Sequence, residues 1–216
     1  LWQVRVWDKS GKPSEWSQEQ AIRIVGDEMD KSQWIGAITR KDARLPEGRF
    51  SNAEFKKDYF VEKWSPVDTL SSKSIILRKE FSNEGKTITD AVVYVSGMGH
   101  YEMLINGKKV GDSMFAPLCS EYSKTIYYNT YDVTSLLNKD GNAINVLLGN
   151  GFFNVQRGDR YSKLMTSFGA PQMTMRMEIN YSDGTSKTIV SDGSWKYALS
   201  PVTFNSIYGG ESYDAR

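Results

Sequence analysis

A few carboxylates and a single histidine have the widest chemical range in this sequence. Four glutamates, Glu102, Glu121, Glu178 and Glu211, could supply paired carboxyl groups for acid–base chemistry. Spacing along strands does not show that any two of them converge, so solvated strand carboxylates are the alternative interpretation. His100 is the only histidine, which excludes a site built from several histidine ligands. At a predicted strand start, a structural imidazole is favoured there over a general base.

The sulfur-containing side chains point to packing rather than to reactivity. Cys119 is the only cysteine, which excludes an internal disulfide and a thiolate zinc site. It follows a proline and a leucine, and we expect a small buried or half-buried side chain. Met173, Met175 and Met177 recur at every second position, which is the period of one strand face. These methionines are therefore predicted to fill the core.

The composition is that of a folded globular chain. Its 216 residues include 39% apolar and 25% charged residues, with 27 basic and 26 acidic side chains. The formal net charge is only +1, whereas a nucleic-acid-binding protein usually has a clear excess of basic residues. No apolar run reaches the length of about 20 residues that a membrane helix needs. We therefore expect no nucleic acid and no membrane among the partners.

Strand-like segments separated by turn signals fill the chain from residue 74 onward. Asn106-Gly107 is typical of a two-residue type I′ hairpin turn, because both residues tolerate positive φ. Asp132 is placed to cap one helical turn at 132–137. No long amphipathic helix intervenes, so the pattern predicts an all-β fold, an antiparallel jelly-roll sandwich. The predicted strands are 74–82, 89–96, 101–105, 108–110, 142–148, 173–181, 185–190, 195–199 and 202–207.

The first 73 residues are less regular and divide into two parts. Residues 1–26 read as a hairpin, with alternation at 1–8 and 20–25 around a long tip. One hairpin is not stable alone, so it either packs on the rest or is the remnant of an upstream domain, which we favour. Residues 27–73 are predicted to be a connector and irregular segment, from which WIGA at 34–37 could enter a first strand. The sandwich itself is predicted at 74–216.

Five blocks of sequence occur in an order and spacing typical of one family. They are WIGA (34–37) ahead of LRKEF (77–81), YVSGMGHYEMLINGKKVGD (94–112), YNTYDVT (128–134), NAINVLLGNG (142–151) and YGGESYDAR (208–216). Together they resemble the amino-terminal, galactose-binding-domain-like β-sandwich region of bacterial α-L-rhamnosidases, which are inverting glycoside hydrolases. WQVRVWD (2–8) and SEWS (14–17) resemble the last hairpin of the fibronectin-III-like module that precedes this sandwich.

The resemblance implies an accessory role. In that family the catalytic acid and base are glutamates of an (α/α)6 barrel that follows the sandwich domains, and no such sequence is present here. We therefore expect a fragment without catalytic residues or a required cofactor, which packs on the rest of the parent rhamnosidase and shapes its cleft. The alternative is a module that binds a rhamnose-containing glycan, and an independent hydrolase is a third class. By analogy, a periplasmic or secreted location is favoured.

The resemblance also makes the loop at 149–161 the candidate for sugar contact. A deoxyhexose offers an apolar methyl face to an aromatic ring and hydroxyl groups to amide and guanidinium groups. The alternative is a loop relaxed by glycines, in which two phenylalanines plug the end of the sandwich. The predicted sugar-binding residues are Asn150, Phe152, Asn154, Arg157 and Tyr161.

Calcium and an interdomain contact are two further expectations from the resemblance. Some sandwich modules of this family bind rhamnose with a calcium ion, for which Asp112, Asp159 or Asn150 could supply oxygen ligands. Glu211 and Asp214 would need hydrogen-bond donors if buried, and Arg216 or backbone amides could supply them. These two acids are predicted to tie the sandwich to the next domain or to line the sugar-binding cleft of the parent enzyme.

Overall fold

The computed structural model describes residues 2–19, 29, 31–37, 48–51, 73–155 and 164–216. Within these ranges the regular structure is almost entirely β, with one short 3-10 helix at Thr134–Leu136. None of the helical structure in them is long and apolar enough to cross a membrane. The strands are β1 (Gly48–Ser51), β2 (Ile75–Ser82), β3 (Ile88–Met98), β4 (His100–Ile105), β5 (Lys108–Lys109), β6 (Tyr128–Asp132), β7 (Gly141–Gly149), β8 (Asn154–Val155), β9 (Leu164–Ser167), β10 (Gln172–Tyr181), β11 (Ser186–Val190), β12 (Lys196–Leu199), β13 (Val202–Ser206) and β14 (Gly210–Tyr213).

Two antiparallel sheets form the sandwich. One has four strands in the order β11-β10-β3-β6, and the other has five in the order β12-β2-β7-β4-β5. A three-stranded sheet, β1-β9-β8, and the β13–β14 hairpin add to this frame. The all-β antiparallel sandwich predicted from the sequence is confirmed.

The core lies between the inward faces of the two large sheets. Because side chains alternate along a strand, every second residue points inward, and the three methionines of β10 are 0% exposed. Complete burial of a residue of this size contributes about 1.5–3 kcal/mol. The predicted role of these methionines as core residues is confirmed. They pack in one cluster with inward residues of the other sheet, which include Ile75, Leu77, Met103, Ile105, Ile144, Val146 and Leu148.

One local signal in the sequence folds as expected, and a second does so only in part. Asn106 and Gly107 join β4 to β5 with φ angles of 51° and 80°, as a type I′ turn requires. The Asp132 carboxylate accepts a hydrogen bond of 2.9 Å from the Thr134 amide, but the N-cap residue of the short helix is Val133, which has no side-chain cap. The helix occupies Thr134–Leu136 alone and is shorter than the predicted turn at 132–137.

The amino-terminal residues form a hairpin with a tight return. The amides of Ser14 and Ser17 donate to the carbonyls of Val6 and Val4, each at 2.8 Å. The first arm therefore pairs with residues 13–17, and the predicted return arm at 20–25 lies outside the described residues. The Arg5 guanidinium lies 5.0 Å and 4.5 Å from the ring centres of two tryptophans, Trp7 and Trp16. Assignment of this hairpin to a fibronectin-like module stays a prediction.

The WIGA segment lies beside β10. The backbones of Ile35 and Met173 exchange two hydrogen bonds of 2.9 Å, and the Gln33 amide donates to the Ser191 carbonyl at 2.8 Å. The segment thus forms an isolated bridge rather than a full strand. Most of the predicted connector, 27–73, lies outside the described residues.

Candidate functional site

A cleft of about 610 Å³ opens where β4 begins and β7 ends. Its floor includes His100 and Glu102 of β4 and Leu147 of β7. Met114 and Phe115, from the loop after β5, line one part of the cleft, and the β13–β14 hairpin lines another. This volume lies within the range of small-ligand sites in proteins. The sandwich thus positions four separate chain segments, β4, β7, the loop after β5 and the β13–β14 hairpin, around one concave surface.

A row of aromatic rings runs beside this cleft. The ring of His100 lies 5.5 Å from that of Phe115 and 6.1 Å from that of Phe152, and Phe152 lies 6.0 Å from Tyr208. We call these four side chains the aromatic row. Phe115 and Tyr208 are 63% and 46% exposed. The row therefore offers apolar surface to a partner or a ligand.

The Phe115 backbone is held in an uncommon conformation. Its φ angle is 55°, in the left-handed region that costs a residue with a β-carbon about 1–2 kcal/mol. The next residue anchors the loop, because the Ala116 carbonyl accepts a hydrogen bond of 2.8 Å from the Tyr101 amide. Backbone strain of this kind persists only where the surroundings impose it. The exposed Phe115 ring is thus presented by a fixed loop.

Buried asparagines connect the loop after β7 to the β13–β14 hairpin. The Asn150 amide donates to the Asn205 side-chain oxygen at 2.7 Å, and the Asn150 side chain donates to the Asn205 carbonyl at 3.0 Å. Asn154 donates to the Asn150 side-chain oxygen at 3.0 Å, and Asn205 donates to the Ser74 hydroxyl at 2.9 Å. We call Ser74, Asn150, Asn154 and Asn205 the asparagine network. It fixes one end of the cleft.

The predicted sugar-binding residues have different environments. Asn150 and Asn154 are 0% exposed, and their amide groups bond within the asparagine network. Phe152 is half-buried in the aromatic row. Arg157 and Tyr161 lie outside the described residues. Contact between these five residues and a sugar stays a prediction.

The second phenylalanine of the loop serves the fold. Phe153 is buried, and its ring lies 5.1 Å from Tyr122 and 5.9 Å from Phe168. The two phenylalanines of this loop, Phe152 and Phe153, therefore have different environments. Phe153 packs into the end of the sandwich, as the alternative interpretation of the loop expected for both, whereas Phe152 joins the aromatic row.

The two acids of the last segment are also separated. Glu211 is exposed and lines the cleft. Asp214 forms an ion pair with Arg216, with guanidinium-to-carboxylate distances of 2.6 Å and 2.9 Å. The side chain and the backbone amide of Arg216 both donate to this carboxyl, which holds the pKa of Asp214 below its usual range. Arg216 is thus the partner that the sequence suggested for Asp214.

Of the four glutamates considered for acid–base chemistry, Glu102, Glu121 and Glu211 are open to solvent or exposed, and Glu178 is partly buried beside Arg176. Glu102 and Glu211 both line the cleft, but Glu102 is 54% exposed at its side chain and pairs with Lys109 at 2.9 Å. An inverting glycosidase needs one carboxyl group kept protonated, usually by an apolar enclosure. Neither cleft glutamate has such an enclosure. Glu121 pairs with Lys124, and Glu178 pairs with Arg176.

The proposed metal ligands are not gathered by the described part of the fold. Asp112 is exposed, and Asp159 lies outside the described residues. Over the ranges that the structure describes, no group of three or more histidine, cysteine, aspartate or glutamate side chains could hold a metal ion. A calcium site at Asp112 and Asp159 stays a prediction.

Cys119 corrects one expectation from the sequence. The structure places it on the surface as an exposed free thiol, so the predicted burial is wrong. The physical reason is that residues 117–127 form no strand, and their backbone runs over the outside of the sandwich. The position of Cys119 after a proline and a leucine therefore did not indicate a core position.

Stability should depend on pH through His100. Burial lowers the pKa of this imidazole below its ordinary value of 6.5. The unfolded chain therefore takes up a proton before the folded chain does as the pH falls. The stability that the fold gains by keeping His100 neutral is fully present above about pH 6.5. It is lost as the pH falls toward the lower pKa of His100 in the folded state. We expect the native Tm to fall more steeply between pH 7.5 and 5 than that of His100→Gln, measured by thermal unfolding. Parallel pH profiles would contradict this.

The chain matches a known family. Residues 86–216 match the model of the α-L-rhamnosidase N-terminal domain. An α-L-rhamnosidase of Formosa agariphila is 38% identical over the whole of this chain, which covers 22% of that protein. An α-L-rhamnosidase of Alteromonas sp. is 31% identical over 99% of this chain and is covered to 21%. The chain thus spans only about a fifth of the length of these relatives.

Solved structures agree with these matches. The α-L-rhamnosidase from Dictyoglumus thermophilum has a TM-score of 0.69 and 30% identity, over 99% of this chain and 22% of its own. The Streptomyces avermitilis α-L-rhamnosidase complexed with L-rhamnose has a TM-score of 0.61 and 32% identity, over 70% of this chain and 15% of its own. The sequence blocks, the antiparallel sandwich and these matches lead to one conclusion: this chain belongs to the family of α-L-rhamnosidase N-terminal domains.

Proposed function

We propose that this chain is a non-catalytic sandwich domain of a longer α-L-rhamnosidase, and that it packs on the catalytic part of that protein and shapes its cleft. The relatives are whole rhamnosidases, and this chain aligns with 22% of the Formosa agariphila protein. The remaining length of such a protein offers a large surface against which the domain can pack. The parent protein would hydrolyse terminal α-L-rhamnosides.

One observation carries this proposal, namely the exposed character of the cleft. Its carboxylates, Glu102 and Glu211, are open to solvent, and Glu102 is already paired with a lysine. Its rim, formed by Met114 and Phe115, carries large apolar side chains that are exposed, as at protein–protein contacts. The cleft is therefore better suited to packing than to proton transfer.

Turnover of an aryl α-L-rhamnoside tests the proposal. We expect no turnover by this chain and hydrolysis by the full-length parent protein. The double variant Glu102→Gln and Glu211→Gln of this chain is the control for any hydrolysis that depends on the two cleft carboxylates. Hydrolysis by the isolated chain that disappears in this double variant would overturn the non-catalytic assignment.

A rhamnose-binding module is the second candidate, and it has a specific observation in its favour. The Streptomyces avermitilis relative was solved as a complex with L-rhamnose. In the present chain the half-buried Phe152 ring lies in an aromatic row beside polar side chains of the cleft. An aromatic face with nearby hydrogen-bonding groups suits a deoxyhexose.

Calorimetric titration of L-rhamnose, with and without calcium, tests this second candidate. We expect Phe152→Ala to weaken binding by up to about tenfold, because an aromatic contact contributes about 0.5–1.5 kcal/mol. Tyr197→Ala is the matched control, since this exposed ring lies on β12, away from the aromatic row. Absence of heat at millimolar sugar in both calcium conditions would remove the binding-module candidate. Equal affinity of the Phe152 variant and the native chain would place the site elsewhere.

A further inference from the structure

We infer that the cleft and its apolar rim dock a segment of the parent protein that lies outside these 216 residues, and that this segment carries a large apolar side chain beside a lysine or arginine. The inference rests on the proposed function and names the surface through which the domain packs. The geometry of the rim, its fixed conformation and the charge of the cleft each contribute to it.

The rim is apolar and exposed at consecutive positions. Met114 and Phe115 are 75% and 63% exposed, although both line the cleft. Val202 and Ile207 of the opposite wall add apolar surface to the same cavity. Removal of such apolar surface from water is favourable. A cleft with apolar walls on both sides is complementary to a large apolar side chain.

The rim is also fixed before any partner arrives. The left-handed backbone of Phe115, the hydrogen bond from the Tyr101 amide to the Ala116 carbonyl and the contact with the His100 ring hold the loop in place. Association normally costs free energy for ordering loops and side chains. A preformed rim avoids much of this cost, which favours docking of an ordered partner on this surface.

The charge of the cleft indicates the polar part of the partner. Glu102 is neutralised by Lys109 at 2.9 Å. Glu211 takes part in none of the ion pairs that link the described residues, and it lines the same cavity. A carboxylate covered by a docked partner is costly unless it is paired with a cation. The docked segment should therefore bring a lysine or arginine to Glu211.

The covalent connection favours the parent protein's own chain as the occupant. This domain corresponds to only 22% of the Formosa agariphila relative, so most of such a protein lies outside it. A segment of the same polypeptide binds at a high effective concentration, and a modest cleft is sufficient for it. A second copy would need a stable interface of about 1,200–2,000 Å² to remain bound in dilute solution.

Photo-crosslinking in the full-length parent protein tests the inference. The photoreactive residue p-benzoylphenylalanine replaces Phe115 in one sample and Lys139 in a control. Lys139 is exposed before the start of β7, and the cleft lies at the other end of this strand, about 27 Å away. We expect crosslinks from position 115 to peptides outside the 216 residues and none from position 139, as mapped by mass spectrometry.

Charge reversal then tests the cation. Glu211→Lys should abolish the crosslinks from position 115, whereas Asp140→Lys, an equal charge change at an exposed position outside the cleft, should leave them intact. An unchanged Tm of both variants verifies that they are folded. Crosslinks only to a second copy, or none from position 115, would overturn the inference. Crosslinks to the parent protein from position 139 instead would show packing through another face, so the proposed function would stand and the docking surface would not.

Discussion

Gly99→Ala is expected to lower the free energy of unfolding by more than about 4 kcal/mol, the range of severe single substitutions. Gly99 forms the corner between β3 and β4 with a φ angle of 120°, which side chains with a β-carbon rarely adopt. An added β-carbon would also overlap the backbone carbonyl oxygen of Gly149. Because this oxygen belongs to the paired end of β7, the clash cannot be relieved by rotation of a side chain.

Gly107→Ala is the matched control for this substitution. Gly107 also has a positive φ, 80°, but an added β-carbon would meet no atom within 4 Å. The expected cost is therefore only the conformational part, about 1–2 kcal/mol. Urea unfolding of the two variants separates the steric contribution from the conformational one. Similar losses of unfolding free energy at both positions would show that the close approach of β7 to Gly99 adds no steric cost.

Asn205→Ala is expected to lower the free energy of unfolding by about 3 kcal/mol. A buried polar group that loses its hydrogen-bond partner costs about 1–3 kcal/mol, and the substitution leaves more than one such group without its partner. The Asn205 side chain accepts from the Asn150 amide at 2.7 Å and donates to the Ser74 hydroxyl at 2.9 Å. Asn150 is completely buried in the native chain, so its amide loses its protein acceptor in the variant. The loop that carries Phe152 should loosen as a result.

Thr203→Ala, on the same strand, provides the comparison. Thr203 is exposed, and its hydroxyl makes a long hydrogen bond of 3.3 Å to the Ser212 carbonyl. Such a surface change is expected to stay within about 0.5 kcal/mol. Hydrogen exchange adds a local measurement, since the Asn150 amide should exchange faster in Asn205→Ala only. Unaltered exchange at Asn150 would mean that the asparagine network does not fix the loop.

Strands with strong alternation were predictable from the sequence. β2, β7 and β10 alternate between buried and less buried positions, because one face of each lies on the core. β14 was missed, since all four of its residues are exposed and its composition is that of a tail. Its pairing with β13 depends on tertiary contacts that local patterns do not contain.

The site was less predictable than the fold. Asn150 and Asn154 were selected because amide groups bind hydroxyl groups, but the fold uses the same capacity for hydrogen bonds within the asparagine network. Residue type alone does not distinguish these two uses. The aromatic row joins Phe115, His100, Phe152 and Tyr208 from four separate segments. No local spacing indicates this proximity, which arises only when the strand ends meet.

The methionines differ sharply in their access to solvent, and this difference has a chemical consequence. Those of β10 are shielded from dissolved oxidants, whereas Met114 projects into water. Oxidation converts a flexible apolar thioether into a polar sulfoxide. Mild peroxide should therefore reach the mouth of the cleft while the interior stays intact. The chain would remain folded under oxidative stress while the exposed rim of the cleft became more polar.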